Sequence, residues 1–159
     1  MTTATADLYD AHGEALRVAA PLFRDFGGRL AFEGAIKIVK VFEDNSLVRS
    51  QLEQPGEERV LVVDGGGSLR CALVGDVLAA LGVKNGWAGI VVYGCIRDAK
   101  VLAELPIGIK ALASNPRKSI KKGEGCLDTV VRFAEIALKP GDYLYADADG
   151  IVVAEHKLS

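Results

Sequence analysis

Apolar and polar positions change period along this chain, and the changes mark out its elements. Residues 5–16 (TADLYDAHGEAL) put Leu8, Ala11 and Ala15 on one face at helical spacing, with Thr5 or Asp7 as a cap, and predict a short helix. Residues 21–29 (PLFRDFGGR) form a turn-rich connector broken by Gly27 and Gly28. In residues 35–43 (AIKIVKVFE) alternation through Ile36, Lys37 and Ile38 predicts a strand. Residues 45–54 (NSLVRSQLEQ) predict a helix stopped by Pro55-Gly56. Residues 59–67 (RVLVVDGGG) are a β-branched apolar run ending in three glycines, the form of a buried strand entering a tight loop.

Residues 69–86 hold a strand and then a helix opening near Gly75-Asp76. That helix is expected to turn Val77, Leu78, Leu81 and Val83 inward and to stop at Lys84-Asn85-Gly86. Residues 87–98 (WAGIVVYGCIRD) are a second buried strand, followed by a short helix over 98–105 and a strand over 107–113. The last third reads as three strands: 129–138, 142–148 and 150–156. Turns lie at Pro140-Gly141-Asp142 and at Asp147-Ala148-Asp149-Gly150. With β/α units in the centre and strands at the end, the fold class is α/β with mixed sheets, and one domain over residues 1–159 is the simplest account.

Composition narrows the function classes. Half of the 159 residues are hydrophobic, a quarter are charged, and the net charge is −2. That balance suits a globular core, with no basic stripe of the kind nucleic acids require. The densest basic run, 117–122 within NPRKSIKKGEG, reads as a solvated loop. Cys71, Cys95 and Cys126 fit neither a disulfide framework nor a CxxC metal site; Cys71 and Cys95, in apolar surroundings, are expected to be buried free thiols, and a reducing, cytoplasmic setting is expected. The acidic N-terminal stretch 1–14 lacks the apolar segment of a signal peptide, and no apolar run is long enough to span a bilayer.

Two strand-to-loop transitions carry the candidate chemistry: Val63 to Gly67 with Leu73 to Leu78 beyond it, and Tyr93 to Asp98. Ligands of open α/β sheets bind beyond the carboxyl ends of strands. The amides of Gly75, Asp76, Val77 and Leu78 would form a helix N-terminal cradle suited to an anion. Neither a P-loop nor a GxGxxG fingerprint is present, which disfavours nucleotide-binding and methyltransferase readings. Arg97-Asp98 is either a local ion pair or, with Asp76, a functional group in which carboxylates suit a hard cation and arginine grips a substrate carboxylate. His12 and His156 have no partner motif, and Trp87 reads as a packing anchor. Glu43-Asp44-Asn45 reads as a helix cap, with the lining of a subunit interface site as the alternative, and Asp147 and Asp149 read as turn formers.

The spacing D-x20-R-D from Asp76 to Arg97-Asp98 occurs with FEDNSLV, RVLVVDGGGSLR, VKNGWAGIVVYGCIRD and PGDYLYADADGIVV. Over nearly its whole length the chain thus resembles the RraA-like family. That family includes regulators of ribonuclease E and metal-dependent 4-hydroxy-4-methyl-2-oxoglutarate aldolases, some of which decarboxylate oxaloacetate. The resemblance implies a swivelling β/β/α fold and a ring-like homotrimer. Members with D-x20-R-D resemble the aldolases, whereas regulators can lack the equivalents of Asp76 and Asp98. By resemblance, Asp98 would ligate magnesium or manganese, and Arg97 would bind substrate and neutralise an enolate. The Gly75, Asp76, Val77 and Leu78 amides would hold the carboxylate of a 2-oxo acid, and Asp76 would orient a water of the metal. Longer aldolases bring a further acid from a neighbouring subunit on a C-terminal extension; with HKLS as the last residues read, that acid is not expected here. Binding to ribonuclease E or a related protein is the alternative function, and neither direct nucleic-acid binding nor membrane association is expected.

Overall fold

The computed structural model describes residues 3–158; Met1 and Thr2, where the acidic N-terminal stretch starts, and Ser159, the end of HKLS, lie outside the described residues. In chain order the elements are α1 (Thr5–His12), β1 (Arg17–Val18), β2 (Arg24–Asp25), β3 (Phe32–Lys40), α2 (Ser46–Leu52), β4 (Val60–Asp64), β5 (Ala72–Val74) and α3 (Asp76–Lys84). There follow β6 (Gly89–Ile96), α4 (Ala99–Leu102), β7 (Gly108–Ser114), β8 (Cys126–Leu127), β9 (Val131–Phe133), β10 (Ile136–Leu138), β11 (Tyr143–Asp147) and β12 (Gly150–Ala154).

The centre is a parallel sheet in the order β3-β4-β6-β7, covered on both faces. Period-two alternation sends Val39, Leu61, Val63, Ile90, Val92 and Ile109 toward the helices, where they meet Val48, Leu52, Leu78 and Leu102. The other face, with Ile36, Ile38, Val60, Val62 and Val91, packs on Phe133, Ile136, Leu138, Leu144, Ile151 and Val153. The layers are therefore helix, sheet and strands, the β/β/α arrangement that the family resemblance implies.

β3 joins the two strand layers. Its first half pairs antiparallel with β11, Tyr143 opposite Ala35 and Ala146 opposite Phe32; its second half pairs parallel with β4 from Ile36 to Lys40. At the join, the Phe32 ring lies over Gly89 and Gly108, where an added Cβ would come within 2.3 and 2.0 Å of it. Only glycine lets the starts of β6 and β7 take that ring.

Several elements differ from the sequence reading. α1 ends at His12, and Gly13 (φ 51°) leads into a 3-10 turn over Gly13–Ala15. Ala11 and Ala15 are exposed, and Leu16 joins Leu8 in a small cluster against Tyr145 and Val152. Neither Thr5 nor Asp7 caps the helix: Thr5 donates through its amide and hydroxyl to Asp147, at 2.8 and 2.7 Å. Asp147 also accepts the Asp149 amide at 3.0 Å, so it forms its turn and fastens α1 at once. The connector 21–29 contains β2, which pairs with β7. Residues 129–138 are a hairpin rather than one strand, because Ala134 (φ 52°) and Glu135 (φ 66°) reverse the chain. β8 pairs with β3, and the sequence reading had no strand there. Val77 is 57 % exposed, contrary to expectation, since only Leu78 and Ala79 of the first turn of α3 face the core.

Candidate functional site

β4 stops at Asp64, and the glycine loop folds back with the Gly65 and Gly67 amides donating to the Tyr93 carbonyl at 3.0 and 3.1 Å. β5 then takes over beside β6, with Ala72 opposite Cys95 and Val74 opposite Ile96. The replacement brings the two transitions singled out in the sequence side by side. The Arg97 amide donates to the Val74 carbonyl at 2.9 Å, and the Asp76 amide donates to Asp98 Oδ2 at 3.0 Å.

Asp98 holds a left-handed backbone (φ 59°, ψ 40°), a conformation that aspartate tolerates better than most residues. This bend turns its carboxylate back onto the start of α3. Gly75 makes the approach possible: a Cβ there would lie 2.8 Å from Asp98 Oδ2 and 3.3 Å from Arg97 Cγ. Arg97 and Asp98 form no salt bridge with each other among the described residues, so the local ion-pair reading of this dipeptide does not hold. The Arg97 guanidinium instead reaches toward the Pro116 carbonyl at 3.5 Å.

A cavity of about 160 Å³ opens here, lined by Gly75, Asp76, Val77, Leu78 and Arg97, with Ala72 at its base. Asp98 is not in its lining, but its Oδ2 lies against Gly75 and Asp76, which are. Two of the four amides read as an anion cradle are engaged within the chain, that of Asp76 by Asp98 and that of Val77 by Asp76 Oδ1 at 2.8 Å. Asp98 is thus the anion at the N-terminus of α3, where backbone N–H groups favour negative charge.

The rest of the lining is Asn45, Arg49, Lys118, Ser119 and Lys121, which the sequence reading did not assign to the site. The basic run is an exposed loop as expected, apart from buried Ser119, and its exposed Lys118 and Lys121 also line the cavity with Arg97. A signal was available, since NPRKSIKKGEG follows the carboxyl end of β7, where ligands of such sheets are met. Buried Asn45 donates through Nδ2 to the Leu73 carbonyl at 3.0 Å and accepts the Ser119 hydroxyl at 2.9 Å. Two larger depressions, of about 630 and 580 Å³, lie away from these residues and contain none of the acid-arginine group.

Elsewhere the side chains keep structural roles. His12 and His156 are exposed. Trp87 is buried with Nε1 donating to the Gln54 carbonyl at 3.1 Å. All three cysteines are free, and burial pushes the thiols of Cys71 and Cys95 up. No helix among the described residues is long and apolar enough to cross a membrane.

As a cation site the arrangement is sparse. No group of three or more His, Cys, Asp or Glu side chains converges among the described residues, which suits neither a structural nor a catalytic zinc centre built from protein ligands. It fits magnesium or manganese, which take few protein oxygens and keep several waters. Asp98 would hold such an ion, since only its Oδ2 accepts a hydrogen bond among the described residues.

The RraA-like family model, described as Aldolase/RraA, matches residues 5–153. A protein of Alkalilimnicola ehrlichii provisionally named 4-hydroxy-4-methyl-2-oxoglutarate aldolase is 61% identical over 158 residues, covering 99% of this chain and 98% of its own. One of Aromatoleum aromaticum with the same provisional name is 58% identical, covering 97% of both chains. A Geobacillus kaustophilus structure described as an S-adenosylmethionine:2-dimethylmenaquinone methyltransferase superposes with a TM-score of 0.95 at 47% identity, covering 98% and 97% of the two chains. A Thermus structure described as the RNA-processing inhibitor RraA superposes with a TM-score of 0.96 at 45% identity, covering 100% and 96%. Sequence and layer order therefore lead to one assignment: the chain belongs to the RraA-like family.

Proposed function

We propose that this protein is a divalent-metal-dependent aldolase that cleaves 4-hydroxy-4-methyl-2-oxoglutarate into two molecules of pyruvate, and that it also decarboxylates oxaloacetate. The observation that carries this reading is the small cavity that Arg97, Lys118 and Lys121 line together, with Asp98 held at the adjoining turn. Both substrates are small dianions, and four cationic side chains, Arg49, Arg97, Lys118 and Lys121, around one small cavity complement two carboxylates. The relatives that share most of this sequence carry the aldolase name, which supports the same choice.

The chemistry divides among this chain's residues. Arg97 holds the substrate and offsets negative charge developing on the 2-oxo oxygen, while the Leu78 end of the cradle receives the adjacent carboxylate. Lys118, Lys121 and Arg49 attract the distal carboxylate, and Asp76 orients water at the mouth. Asp98 would hold a magnesium or manganese ion, which when bound would supply Lewis acidity toward the 2-oxo acid. In the aldol cleavage the C3–C4 bond breaks, the 4-hydroxyl loses its proton to become the ketone of one pyruvate, and the bonding pair passes into the enolate of the other. In the decarboxylation the same bond releases carbon dioxide and leaves the same enolate. Protonation at C3 completes either reaction.

A homotrimer belongs to this reading. Phe42, Leu69 and Ile120 are exposed, large and apolar, and they sit on segments that follow the carboxyl ends of β3, β4 and β7, where burial against another copy would cover them. Free cysteines support a cytoplasmic, reducing setting. The likeness to an RNA-processing inhibitor keeps one competing function, binding to ribonuclease E or a related protein. A pyruvate-release assay on both substrates separates the two. Magnesium or manganese should support turnover, EDTA should abolish it, and added metal should restore it. Absence of turnover on either substrate, or indifference to EDTA, would reject the metal-dependent aldolase and leave the binding role, which should survive Asp98→Ala.

A further inference from the structure

The basic wall of the cavity is a loop with no regular structure of its own between Ser114 and Cys126, yet its backbone is tied down at close intervals. The Arg117 carbonyl accepts the Ala72 amide at 2.8 Å, and the Ile120 amide donates to the Glu43 carbonyl at 3.2 Å. Beyond that point the anchor is one side chain. Asp44 Oδ2 accepts the Lys122 amide at 2.9 Å and the Glu124 amide at 3.1 Å. Its Oδ1 accepts the Ser46 amide at 2.9 Å and the Ser46 hydroxyl at 2.6 Å. The Gly123 amide donates in turn to that hydroxyl oxygen at 3.2 Å. Three successive loop amides thus close around a buried carboxylate and its serine.

We propose that Asp44 is a positioning residue of the active site, whose carboxylate clamps residues 122–124 so that Lys118 and Lys121 stand over the cavity and select substrates with a second carboxylate. This rests on the aldolase reading above and adds the origin of its dianion preference. Asp44 does not line the cavity and touches no substrate; it acts through the loop. The clamp needs a carboxylate in particular, because four donors converge on two oxygens. An amide would set its own N–H groups against two of them, even though its size is the same.

The test is Asp44→Asn, with Ser46→Ala as a milder variant, in the intact protein. KM for 4-hydroxy-4-methyl-2-oxoglutarate should rise about tenfold or more while kcat stays within about threefold, the pattern of lost uniform binding. Inhibition by 2-oxoglutarate, which has two carboxylates, should weaken in parallel, while inhibition by pyruvate, which has one, should be nearly unchanged. Trypsin should cut the native variant in the 117–122 run at least about tenfold faster than the wild type, with circular dichroism unaltered. Ser46→Ala should shift each quantity in the same direction and less. Equal weakening of both inhibitors, or a fall in kcat with KM unchanged, would overturn the positioning role, and so would a loop as protease-resistant as in the wild type. A wild type without lyase activity would instead sink the aldolase reading; the trypsin arm would still decide whether Asp44 holds the loop.

Discussion

At Asp98 a left-handed backbone, a charge and a hydrogen bond meet in one residue, so different substitutions remove different parts of its role. Asparagine tolerates the left-handed region and keeps an oxygen for the Asp76 amide, but it removes the negative charge. Asp98→Asn should therefore unfold at the wild-type urea midpoint and lose nearly all pyruvate release, with partial recovery at high magnesium. Arg97→Ala should retain metal dependence and lower kcat on the order of a hundredfold, as when one electrostatic stabiliser is removed. Steady-state kinetics with a metal titration read both. Wild-type rates in both variants would remove Asp98 and Arg97 from the chemistry. The D-x20-R-D spacing was visible before any fold, because Asp76, Arg97 and Asp98 follow strand and glycine signals that are local. Asn45, Arg49, Lys118 and Lys121 were not visible as a group, since nothing local links residues 45–49 to residues 118–121.

Among the elements, β3 carries the most structural consequence, because it belongs to both strand layers and places Phe32 across the starts of β6 and β7. Gly108→Ala should push a methyl group against that ring. It should destabilise the fold by about 1–3 kcal/mol, the usual penalty for overpacking. Urea denaturation reads this directly, and an unchanged midpoint would show that Phe32 yields without loss. Strand and helix identities in the centre were legible because periods of two and of about 3.6 are properties of a few adjacent residues. The hairpin of β9 and β10 was hidden for the same reason. In VVRFAEIAL the turn is made by Ala134 and Glu135, which carry no turn signature yet adopt positive φ where the packing of Phe133 and Ile136 requires reversal.

The whole molecule leaves apolar side chains exposed beside its candidate site, Phe42 at 58 % and Ile120 at 70 % among them. Closed cyclic assembly buries such a patch once per subunit without leaving an open end. Light scattering should give about three chains per particle or a multiple of three. Replacing Phe42 and Ile120 together with serine should lower that mass, and a monomer at all concentrations in the wild type would contradict the assembly.

The sequence by itself determined the layered α/β class, the buried central strands and the position of the acid-arginine group just past two of them. Each of these depends on short-range periodicity or on residues with special backbone freedom. Tertiary structure decided which loop faces that group, and what Asp44 and Asp147 hold. Lys122 lies 78 positions from Asp44, and Thr5 lies 142 from Asp147. Such pairs are set by sheet order and by the need to satisfy buried polar groups once the layers have packed, so no local pattern announces them.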